Sequence, residues 1–146
     1  MTLSAKYLPL AGHPILVVEN DPIIALSIAD CLQDAGALVL TASNTNDALP
    51  IVENSQISAA VLDLDLGGGD STSVCRRLTD RSIPFLFYSG YDDAFVSDKW
   101  PNATVVGKPA SEKVLIMTLL GLIRLSLTSA PVREHARRPS RGPGSG

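Results

Sequence analysis

Ile15-Leu16-Val17-Val18-Glu19-Asn20-Asp21-Pro22 decides how the chain is read. Four apolar residues stand together without polar alternation, and three of them are β-branched. A strand of that kind is buried on both faces of a sheet. It stops at three polar residues and a proline, which suits the first position of a helix, where a missing N–H is no loss. Beyond it Ile24, Ile28, Cys31, Leu32 and Ala35 recur at helical spacing, and Gly36 stands where a left-handed cap closes a helix. The unit is therefore a strand followed by a helix.

The unit repeats. Residues 38–41, 59–64, 84–88 and 103–106 read as strands. Between and after them, 44–54, 70–80, 92–99 and 112 to about 125 read as helices, with Pro50 expected to fray or bend the second helix. Short links between alternating strands and helices predict an α/β domain. Its five-stranded parallel sheet is doubly wound, with right-handed crossovers and helices on both faces. For strand order 2-1-3-4-5, ligands belong beyond the carboxyl ends of strands 1 and 3, where the order reverses. Those ends carry Glu19-Asn20-Asp21 and Asp63-Leu64-Asp65.

The 146 residues, 45% apolar and 18% charged, suffice for one folded domain, expected over 13–127. Residues 1–12 are read as a flexible extension, and 128–146, rich in Arg, Pro, Gly and Ser, as a disordered basic tail with too little apolar surface to order. Four arginines and Glu134 give 129–146 a charge of +3, so a chain of net charge −3 has a body of −6. An acidic body argues against nucleic acid as a partner. Cys31 and Cys75 lack metal or disulfide spacing and are expected to be buried thiols. The apolar stretch 114–127 is too short for a membrane span, and the amino terminus does not resemble a secretory signal, so a cytoplasmic protein is expected.

Glu19, Asp21, Asp63 and Asp65 would meet at one sheet edge, where their mutual repulsion calls for a cation, and an all-oxygen donor set suits Mg²⁺. The plainer reading is that Asn20 or Asp21 caps the helix starting at Pro22. Asp63 follows the apolar run Ala59-Ala60-Val61-Leu62, where an unpaired carboxylate is costly. The fourth strand ends at Ser89 and the fifth near Lys108-Pro109, so acids, a hydroxyl and a lysine share the edge.

From about Pro14 to Leu125 these residues resemble the receiver domain of bacterial two-component response regulators, with its flavodoxin-like fold. The resemblance implies Mg²⁺ held by Glu19, Asn20, Asp63 and the backbone carbonyl of Asp65, with Asp21 as a substitute for the acid that Asn20 replaces. It implies that Asp63 accepts a phosphoryl group from a sensor histidine kinase or histidine phosphotransfer protein, assisted by Ser89 and Lys108. It also implies a cis Lys108-Pro109 bond. Phe87-Tyr88-Ser89-Gly90-Tyr91 is similar to the Phe-Ala-Thr-Gly motif of a subgroup of stand-alone receivers. Val105 stands where many receivers carry a switching aromatic residue, and Tyr88 or Tyr91 are the substitutes on offer. The implied function is a single-domain response regulator that signals through a downstream protein, and whose only catalysis is its own phosphoryl transfer and dephosphorylation. Two alternatives are a degenerate receiver working as a phosphorylation-independent interaction module, and a phosphatase of the haloacid-dehalogenase type, suggested by Asp63-Leu64-Asp65. Nine of the twelve residues 114–125 are apolar, more than one sheet face can use. A homodimer through helix 112–125 is expected, with a fold-back of the tail as the alternative.

Overall fold

The computed structural model describes residues 8–63, 72–89, 104–108 and 111–141. The elements are β1 (Pro14–Val18), α1 (Pro22–Asp34), β2 (Leu38–Ala42), α2 (Thr45–Asn54), β3 (Ala59–Leu62), α3 (Thr72–Asp80), β4 (Phe85–Ser89), β5 (Thr104–Gly107) and α4 (Glu112–Arg141). The short helix expected at 92–99 lies outside the described residues. All four strand pairings are parallel, as the alternation predicts, and the order is the expected β2-β1-β3-β4-β5.

Strand alternation divides the core in two. Ile15, Val17, Ala59, Val61, Leu86 and Val106 pack with α1 and α4 on one face. Leu16, Val18, Ala60, Leu62 and Phe87 pack with α2 and α3 on the other. Cys31 and Cys75 are buried and not joined in a disulfide, one on each side. Register aligns the strand ends: Val18 pairs with both Ala42 and Leu62, so residues 19, 43 and 63 leave the sheet at one level. Ser89 pairs with Gly107, which brings Lys108 to the same edge.

Two expectations about chain limits change. Residues 8–12 are not a loose extension, because Leu10 is fully buried in the α1/α4 core and its N–H donates to the Ala35 carbonyl at 2.8 Å. A turn at Gly12 (φ +76°) folds this segment against Gly36, whose φ of +98° and contact with Ala11 leave no room for a side chain. At the other end α4 continues to Arg141 instead of stopping near 125. The helix runs through Pro131 and Pro139, residues that read as helix breakers in the sequence. As a continuation of α4, the run 128–141 extends the helix and does not fold back over it. Within the domain, α2 spans Thr45–Asn54 with Pro50 inside it. Asn44 caps it by accepting from the Asp47 N–H at 2.8 Å, and the fully buried Ala48 and Val52 anchor it.

Candidate phosphoacceptor site

Glu19 and Asp63 are the two buried charged residues among those described, 3% and 7% exposed. Ladder geometry fixes both. The Glu19 N–H donates to the Ala42 carbonyl and the Asp63 N–H to the Val18 carbonyl, each at 3.0 Å. Each acid thus continues its strand by one residue and releases its side chain at the sheet edge. Lys108 arrives from β5 and its Nζ donates to Glu19 Oε1 at 3.2 Å and Asp63 Oδ1 at 3.4 Å. The same ammonium lies 5.5 Å from the centroid of the Tyr88 ring, within cation–π range.

Among the described residues two carboxylates share one ammonium here. Burial is the main influence pushing the Glu19 pKa up. The Asp21 N–H on Oε2 (3.1 Å) opposes it, Asp63 adds to it by hydrogen bonding and by like charge, and Lys108 opposes it; the net result is upward. For Lys108 burial acts downward, but the two acids outweigh it and the ammonium is held above its ordinary 10.5. Among the described residues the acids here outnumber the cation by one, and their hard oxygen donors fit a divalent cation such as Mg²⁺. Among the described residues no three His, Cys, Asp or Glu side chains gather as a metal centre. Glu19 and Asp63 are the described pair that could hold such an ion, and Asp65, expected to add a carbonyl, lies outside the described residues.

Asn20 is exposed beside this pair and lines, with Glu19, Ala25, Leu26, Ala29 and Asp47, a cleft of about 550 Å³ between α1 and the β2–α2 link. Asp21 takes the plainer role: Oδ1 caps α1, accepting from the N–H groups of Ile23 (2.9 Å) and Ile24 (3.3 Å). Ser89 ends β4 at the register expected, while Tyr91 and Pro109, and with it the expected cis bond, lie outside the described residues. The contact of Tyr88 with Lys108 is not foreseen from the sequence. Alternation contains the signal, since Tyr88 and Val106 are cross-strand partners on the α1/α4 face and Lys108 follows Val106 by two.

The family model for the response regulator receiver domain matches residues 15–118. The haem response regulator HssR of Staphylococcus aureus is 30% identical over 116 residues, 75% of this chain and 50% of the relative. The chain spans half the length or less of the curated relatives it matches, the sensor protein TorS of Escherichia coli and the regulator TcrA of Mycobacterium tuberculosis among them. Two solved structures show the same fold. A CheY-like receiver domain protein from Methanospirillum hungatei superposes with a TM-score of 0.72 at 20% identity, covering 81% of this chain and 98% of that one. The receiver domain of a sensor histidine kinase from Pseudomonas aeruginosa has a TM-score of 0.68 at 21% identity, covers 77% and 98%, and holds a magnesium ion in its active-site cleft.

Proposed function

Because the chain belongs to the response regulator receiver domain family, a signalling module of two-component systems, we infer that Asp63 is its phosphoryl acceptor. The observation that carries the reading is the Lys108 bridge to Glu19 and Asp63, which gathers three strand ends far apart in sequence at a single point. An Asp63 oxygen attacks the phosphorus of a phosphohistidine on a sensor kinase or phosphotransfer protein. The new O–P bond forms as the N–P bond breaks, and the electron pair stays on the donor's imidazole nitrogen. Asp63 is nearly enclosed and backed by its ladder hydrogen bond, so its carboxylate meets the donor from a fixed direction.

Lys108 lies within reach of the oxygens that gain charge in the transition state, and Ser89 ends the neighbouring strand as the hydroxyl assigned to the phosphorylated form. Glu19, Asn20, Asp63 and the Asp65 carbonyl are the residues assigned to Mg²⁺. When bound, the ion neutralises charge on the phosphoryl oxygens. The chain would thus catalyse only its own phosphoryl transfer and dephosphorylation. Phosphorylation adds roughly one to two negative charges, on the order of what shifts a two-state surface. As a stand-alone regulator it would then signal by contact with a downstream protein.

The proposed location is the cytoplasm, assigned from the partner kinase. No helix among the described residues is long and apolar enough to cross a membrane. On α4, Leu115, Leu119, Leu120 and Ile123 are buried, whereas Val114, Met117 and Leu125 stay exposed. That exposed set is the surface we assign to a second copy, and sedimentation of the phosphorylated protein as a monomer at high concentration would remove it. The acceptor assignment is tested by incubating the full chain with acetyl phosphate and Mg²⁺. One phosphoryl group should be gained in the wild type and none in Asp63→Ala. Uptake by Asp63→Ala would place the acceptor on another residue, and none by the wild type at millimolar Mg²⁺ would favour an interaction module that works without phosphorylation.

A further inference from the structure

Lys108 has an awkward path. It starts on β5 and its ammonium touches Asp63 at the end of β3, two strand positions away, a span of roughly 10 Å across the end of β4. A lysine covers that distance only when its four-carbon stem is stretched, and a stretched, flexible stem does not hold its head in place by itself. Tyr88 is the β4 residue on the same sheet face, opposite Val106 and diagonal to Lys108. Its ring is half-buried against the α1/α4 core, which fixes its plane, and its centroid lies 5.5 Å from the Lys108 Nζ.

We propose that Tyr88 is a positioning residue for the phosphoryl-transfer site: its ring braces the Lys108 ammonium midway between Glu19 and Asp63, where the incoming phosphoryl oxygens need it. This rests on the assignment of Asp63 as acceptor. The brace acts by attraction between the cation and the negative face of the ring, so it needs an aromatic ring but not the phenol hydroxyl. Bulk alone does not replace it. A leucine fills part of the volume and offers no electrostatic surface, and Lys108 then shifts toward whichever carboxylate is nearer.

Two measurements on the full chain test this. Without Mg²⁺, the Lys108 ε-methylene protons should resonate upfield of ordinary lysines, shielded by the ring. The shift should persist in Tyr88→Phe and vanish in Tyr88→Leu. Beryllofluoride, an acyl-phosphate mimic, titrated with Mg²⁺, should bind Tyr88→Leu about two- to five-fold more weakly than the wild type, while Tyr88→Phe restores the affinity. Should Tyr88→Leu fold poorly, Tyr88→Phe with increasing ring fluorination keeps the shape, and affinity should fall stepwise with each fluorine. A flat fluorine series, equal loss in Phe and Leu, or an ordinary methylene shift in the wild type overturns the brace. If the wild type binds no beryllofluoride while its methylene shift is upfield, the acceptor assignment fails, and the brace's catalytic purpose with it.

Discussion

Among the described residues, two clusters each pair one basic side chain with two carboxylates, and they behave in opposite ways. Between α2 and α3, Arg77 pairs with Glu53 through Nε and Nη2 and with Asp80 through Nη1, all three side chains standing largely in solvent. Hydrogen bonding to Arg77 holds the Glu53 carboxyl below its usual range, and the same contact raises the guanidinium. At the carboxyl edge of the sheet, Lys108 pairs with Glu19 and Asp63, both buried, and there Glu19 is pushed up despite its cation. Water satisfies the acids of the first cluster and barely reaches those of the second. An ion-pair motif is therefore structural or functional according to burial, because buried excess charge remains available to a ligand.

The largest expected contrast is in chemistry. Asp63→Asn should abolish phosphoryl uptake from acetyl phosphate, whereas Asp80→Asn should leave it unchanged, as read by intact mass. The next is stability. Lys108→Met removes the ammonium from two buried carboxylates and should cost about 1–3 kcal/mol in urea unfolding, less than the roughly 3–5 kcal/mol of a fully buried broken pair because Lys108 is partly solvated. Arg77→Met should cost less, since solvent takes over both acids, and a larger loss there would reverse the comparison.

Glu19→Gln removes the excess charge and should stabilise the metal-free protein by about 0.5–1 kcal/mol while weakening the stabilisation gained from Mg²⁺. A lower melting temperature without metal would show that Glu19 is a net stabiliser. The smallest effect, and the sharpest in sign, is with pH in metal-free buffer. The Glu19 pKa is raised on folding, so above about 4.5 the unfolded chain has lost a proton that the folded one keeps, and its contribution to stability falls as pH rises. Glu53 is lowered, so its contribution is full above 4.5 and is lost as pH falls through the folded value. Subtracting the pH profiles of Glu19→Gln and Glu53→Gln from the wild type should give slopes of opposite sign, and slopes of the same sign would contradict the burial argument.

Much of this is legible in the sequence because burial leaves a pattern. Apolar runs ending in acids locate β1 and β3, and Asp63 stands out as a carboxylate directly after four buried residues. What escapes depends on contacts between distant segments. Leu10 sits among Pro9, Gly12 and Pro14, which read as loop, yet the Gly12 turn carries it back to Ala35. Asp21 is open to two roles that local sequence cannot separate, and its two N–H contacts decide for the cap. Arg81, which donates to the carbonyls of Val52 and Glu53 and so closes the end of α2, carries no motif at all. The reach of Lys108 over Tyr88 needs the register of β4 against β5.

Chemical-shift mapping of the full chain, titrated with beryllofluoride and Mg²⁺, addresses the central claim most directly. The largest early amide shifts should fall at Glu19, Asp63 and Lys108, with Glu53, Arg77 and Asp80 nearly still. Shifts centred on the Arg77 cluster, or none at saturating probe, would contradict it.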